Sequence, residues 1–106
     1  MERHAGEAAR LLRALSNPHR LQVLCALVGG EQSVGALNRR VPLSQSALSQ
    51  HLAVLRAEGL VATRRDGQAV YYSLPAGAAL HVIRALHEVY CGPLARPSTR
   101  KRRTTT

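Results

Sequence analysis

Two thiols set the chemistry open to this chain. Cys25 lies in "RLQVLCALVGG", residues 20–30, a run that otherwise reads as helix core, and the other cysteine is Cys91 in "VYCGP". A cysteine on a core face is ordinarily a small hydrophobe. Together with His87, the pair offers three ligands to zinc, copper(I) or another thiophilic ion. As a redox pair, one thiolate attacks an electrophilic sulfur and the second captures the product. Cys91, followed by Gly-Pro at an expected helix end, is the more accessible. His87, one turn before it, favours its thiolate when protonated, while the helix C-terminus opposes one there. Burial on an apolar face raises Cys25, so Cys91 is the expected first nucleophile. A thiol oxidoreductase normally needs a polarised C-x-x-C pair, and the chain has none, nor a Ser/His/acid constellation. No enzymatic activity and no cofactor are expected.

A chain of 106 residues makes one domain with a modest core. Aromatic residues are scarce (three Tyr, no Phe, no Trp), so Leu, Ala and Val must do the packing. The start, "MERHAGEAARLLRAL", is charged throughout and does not read as a signal peptide. No stretch approaches a membrane span, and no membrane partner is expected. Two cysteines without an export signal point to a reducing, cytoplasmic compartment.

The formal charge is +9. Arg96, Arg100, Lys101, Arg102 and Arg103 supply five of the fifteen basic residues, and removing them leaves the body near +4. A basic body points to polyanions, nucleic acid first. The tail "RPSTRKRRTTT" has no apolar anchor and reads as disordered, adding nonspecific phosphate contacts or merely solubility. The expected division is a domain over 1–92 and a basic tail over 93–106.

The elements that must position these groups follow from periodicity and punctuation. Ala8, Leu11, Leu12 and Leu15 form a helical stripe. After it, "SNPHR" offers Ser16 or Asn17 as cap and Pro18 in the first turn. Leu21, Leu24, Cys25 and Val28 form the next stripe, ended by Gly29-Gly30. A short helix runs from Ser33 to Pro42. The next is capped by Ser44 or Ser46, carries Leu48, Leu52 and Leu55 inward, and stops at Gly59. "LVATRRDGQAVYYSL" then reads as two strands around Asp66-Gly67, with Val70, Tyr72 and Leu74 alternating. Pro75 opens a last helix to Cys91. Wide apolar arcs on the first and last helices suggest a homodimer interface through Leu11, Leu12, Leu80, Ile83, Leu86 and Tyr90; the alternative is that the two helices pack on each other within one subunit.

Short helix, tight connection, second helix and basic hairpin make a winged helix-turn-helix, mainly α with a small β wing and about five helices. Opposite the leucines, the second helix carries Gln45, Ser46, Ser49, Gln50 and Arg56, polar side chains that reach base edges in a major groove. Its first N–H groups, with Ser44, suit a phosphate. Arg64, Arg65 and Gln68 in the wing, and Arg39 and Arg40 before the turn, are backbone-contact candidates. His51 supports the recognition helix or a phosphate. Each residue singly is also what a solvated helix face would show; the constellation is not.

Over residues 5–91, through "LRALSNPHRLQVLCAL" and "SVGALNRRVPLSQSALSQHLAVLRAEGLVATRRDGQAVYYSL", the chain resembles the ArsR/SmtB bacterial repressors. The resemblance implies a homodimer that binds an imperfect palindrome in operator DNA and leaves it when an inducer binds. The usual metal sites of that family are missing: Ser33 stands in "EQSVGAL" where a thiolate is expected, and "PAGAALHVIRALHEVYC" has His81 and His87 on different faces with no matching Asp. No metal is therefore assigned. The two cysteines resemble the dithiol sensors of the BigR/SqrR type. That similarity implies that reactive sulfur species, such as persulfides, link Cys25 to Cys91 and release DNA. A peroxide-driven disulfide, the three-ligand metal site, and a constitutive architectural DNA binder are the alternatives.

Overall fold

The computed structural model describes residues 4–91. The expected tail at 93–106, and with it the domain boundary at 92, lies outside them. In chain order the elements are α1 (Ala5–Leu15), α2 (Pro18–Ala26), β1 (Gln32–Ser33), α3 (Val34–Arg40), α4 (Gln45–Ala57), β2 (Ala62–Asp66), β3 (Ala69–Ser73) and α5 (Ala78–Tyr90). This is the expected winged helix-turn-helix, five helices and a hairpin, with one strand that the sequence did not announce. The two-residue β1 pairs antiparallel with β3, which pairs antiparallel with β2, so β3 is central.

Local chemistry sets the helix starts. Asn17 Oδ1 accepts from the Arg20 N–H at 3.0 Å, with Pro18 in the first turn of α2. Ser33 Oγ accepts from Ala36 N–H and Ser44 Oγ from Ala47 N–H, each at 3.1 Å. These bonds satisfy donors that a helix start leaves open. Gly59 ends α4 with φ +75°, letting the Leu60 N–H return to the Leu55 carbonyl at 2.9 Å. α5 begins three residues later than Pro75: Gly77, φ +146°, stands before it, with no side-chain cap.

The hairpin differs by one residue from the expected turn. Asp66 pairs with Ala69, which makes the two-residue loop Gly67-Gln68 rather than Asp66-Gly67. Gly67 takes the left-handed conformation, φ +63°, that the first position of such a loop requires. Val70, Tyr72 and Leu74 do not alternate in burial with their neighbours. Every residue of β3, the central strand, is half-buried.

The core is built from Val23, Leu24, Leu37, Val41, Leu48, Leu52, Leu55 and Ile83, all fully buried. Burying each stabilises the fold by about 1.5–3 kcal/mol. α2 packs against α1, α3, α4 and α5. It therefore has no single inward stripe: Val23, Leu24, Ala26 and Leu27 are buried, whereas Leu21, Cys25 and Val28 are half-buried. The α4 leucine seam is as expected. Arg10 Nε donates to Glu58 Oε1 at 2.7 Å, tying α1 to the end of α4. Among the described residues, no helix is long and apolar enough to cross a membrane.

Candidate nucleic-acid interface and thiol pair

The turn between α3 and α4 is held by Asn38, whose Nδ2 donates to the Leu43 carbonyl at 2.8 Å. An Asn ahead of a Pro-containing turn is the sequence signal for this role. The Leu48–Leu52–Leu55 seam fixes the rotation of α4. At 100° per residue, Ser46 and Gln50 then lie opposite the seam, Gln45, Ser49 and Arg56 on one flank, and His51 and Glu58 on the other. Gln45, Ser46, Ser49, Gln50 and Arg56 are all exposed. Ser44 is occupied as the cap, with its Oγ 3.4 Å from Ser46 Oγ.

His51 is half-buried, its ring centroid 6.0 Å from that of His19 at the start of α2. Burial, the Arg20 guanidinium and His19 together hold its pKa below the ordinary imidazole value. Arg20 is itself bound to the end of α1, Nε donating to the Ala14 carbonyl at 2.8 Å. His51 thus faces α2.

The arginines divide. Arg39 and Arg65 are exposed, as is Gln68 at the wing turn. Arg40 reaches back, Nη1 to the Ala26 carbonyl at 3.5 Å. Arg64 is the departure from expectation. Its Nε and Nη2 donate to the two carboxylate oxygens of Glu31, at 2.9 and 2.7 Å, and its guanidinium stands 4.8 Å from the Tyr71 ring centroid. The fork that a phosphate would take is filled. Glu31 and Tyr71 were not foreseen, because the ion pair joins residues 33 apart in sequence.

The packing of α5 on α2 brings the thiols into one neighbourhood. Cys25 is half-buried near the end of α2, and Cys91 is exposed at the end of α5. Burial pushes the Cys25 thiol up, and a charge on Cys91 is near enough to raise it further. α5 stays helical to its end, the Cys91 N–H donating to the His87 carbonyl at 2.7 Å. Among the described residues, no three His, Cys, Asp or Glu side chains gather to hold a metal ion.

Of the expected interface residues, Leu12 is 60% exposed and Tyr90 75%. Leu11, Leu80 and Leu86 are half-buried. Ile83 is a correction: at 2% exposure it is spent in the subunit's own core and offers no surface to a partner. Val82 and Val89 extend the exposed apolar face of α5.

Comparison with known proteins places this geometry. Residues 17–63 match the model of the bacterial regulatory protein arsR family. The transcriptional activator HlyU of Vibrio cholerae is 50% identical over 91 residues, 86% of this chain and 84% of that protein. Its structure in the reduced form superposes with a TM-score of 0.81, covering 86% of this chain and 96% of that one. The biofilm growth-associated repressor of Xylella fastidiosa is 44% identical over 91 residues, 86% of this chain and 80% of that protein. The crystal structure of the Xylella fastidiosa repressor BigR gives a TM-score of 0.78 at 44% identity, covering 86% and 93%. The nodulation protein NolR of Rhizobium meliloti is 54% identical over 83 residues, 78% of this chain and 68% of that protein.

Proposed function

The chain belongs to the arsR family of bacterial regulatory proteins, and from that premise we propose that it is a homodimeric cytoplasmic repressor released from operator DNA when Cys25 and Cys91 become linked by reactive sulfur. Two copies join through the exposed faces of α1 and α5. This sets two α4 helices about one DNA turn apart on an imperfect palindrome. Gln45, Ser46, Ser49 and Gln50 read bases, and Arg39, Arg56, Arg65 and Gln68 hold the backbone.

The observation that carries the sensing role is the packing of α5 on α2, with an exposed Cys91 at the end of the one and a half-buried Cys25 near the end of the other. The exposed Cys91 thiolate attacks the outer sulfur of a persulfide, takes that sulfur, and releases the carrier thiolate. Cys25 then loses its proton and attacks the inner sulfur, hydrosulfide leaves, and a disulfide closes. If both thiols have first taken a sulfur, they close as a trisulfide with hydrogen sulfide leaving. His87, one turn before Cys91, tunes its nucleophilicity. HlyU and the Xylella protein are named activator and repressor respectively. The repressor reading follows the name of the Xylella fastidiosa relative.

The test is mass spectrometry of the reduced protein after anaerobic exposure to glutathione persulfide. Sulfur bridging the Cys25 and Cys91 peptides is expected. Unmodified thiols would contradict the sensing role and leave a regulator with another inducer.

A further inference from the structure

A two-stranded hairpin is marginal alone, and a wing that must be ordered on binding weakens the complex by the entropy it loses. In this sheet β1 and β2 are the two edges, separated by β3, so no backbone hydrogen bond joins them. One set of side chains does. Arg64 on β2 faces Tyr71, its direct cross-strand partner on β3, and passes its guanidinium by that ring. It ends in a two-bond pair with Glu31, the residue before β1. The strap crosses the whole sheet. Its far end lies on the segment leaving α2, where the Gln32 Nε2 and Arg40 Nη1 atoms both approach the Ala26 carbonyl, next to Cys25, at 3.5 Å.

We propose that Arg64 is a wing-positioning residue, strapped across Tyr71 to Glu31, which ties the wing to the end of the thiol-bearing helix and presents Arg65 and Gln68 in a fixed place. The proposal rests on the DNA-binding reading above. It reverses the sign of a simple charge argument. Removing Glu31 takes a negative charge from a basic surface, and electrostatics alone predicts tighter DNA binding. Loss of the strap predicts weaker binding. The bidentate fork also makes lysine a poor substitute at position 64, although it keeps the charge.

The experiment compares the full-length wild type with Glu31→Gln, Arg64→Lys and the double variant. Fluorescence anisotropy reads binding to a duplex recovered from a random-sequence library by the wild type. Amide hydrogen exchange reads residues 62–73 of the free protein. Each single variant should bind about threefold more weakly, with the wing amides exchanging about threefold faster, the size expected for a partly exposed ion pair. The double variant should be no worse than the weaker single, and the salt dependence should stay as in the wild type. Tighter binding by Glu31→Gln with a steeper salt dependence would overturn the proposal, making Arg64 a phosphate contact that Glu31 restrains. Unchanged wing exchange in the single variants would overturn it too. If the wild type recovers no duplex, the DNA-binding reading fails, and exchange alone still decides the strap.

Discussion

At the scale of single residues, the thiols and one histidine carry the consequences. Cys25 is raised by burial and by its neighbour, which disfavours the thiolate that exchange requires. Alkylation by iodoacetamide at neutral pH should therefore label Cys91 first, and peptide mapping checks the order. His51 gives a pH dependence whose sign follows from linkage. Its folded-state pKa lies below the ordinary value of about 6.5, so the unfolded chain binds the proton more readily than the native one. Stability is intact above about pH 6.5 and falls as the pH drops through that value toward the lower native pKa. The groups responsible are the burial itself, Arg20 and His19. His51→Gln should flatten the difference in Tm between about pH 7.5 and pH 5.5. A slope unchanged in the variant would place the effect elsewhere.

At the scale of elements, α4 is the piece whose orientation matters most, and it is set by a cap, a leucine seam and a glycine stop. Ser44→Ala removes the Oγ that accepts from Ala47 N–H and should lower stability by about 1 kcal/mol, read as a urea-midpoint shift. Leu52→Ala, in a site only 2% exposed, should lower it by about 2–5 kcal/mol. These elements were legible because their signals are local: a Ser before a helical stripe, leucines at i, i+4 and i+7, a Gly in a two-residue loop. What was not legible depends on partners distant in sequence. The burial of α2 does not follow its stripe because four helices surround it. β1 is two residues long and exists only because β3 is there to pair with it. Arg64 looked like a free wing cation because nothing near it in sequence betrays Glu31.

At the scale of the whole molecule, three of the exposed large apolar residues, Val82, Val89 and Tyr90, lie on α5, with Leu12 on α1 and Val54 on α4. Exposed large side chains grouped this way mark an association surface. Val89→Asp combined with Tyr90→Asp should give a folded monomer by sedimentation equilibrium, with helical circular dichroism retained. It should also lose tight binding to a palindromic duplex, since one α4 reads only a half-site. Cys91 stands at the end of α5, and Cys25 on α2, which packs against both α1 and α5. On the proposed function, a bridge between the two thiols acts beside the proposed subunit interface.

The most direct measurement is anisotropy of a palindromic duplex, recovered from a random library by the reduced protein, before and after anaerobic treatment with glutathione persulfide. The wild type should release the duplex and rebind it after dithiothreitol, while Cys25→Ser and Cys91→Ser should bind it and stay bound. A wild type that remains bound with both thiols modified, or cysteine variants that still let go, would contradict the sensing role.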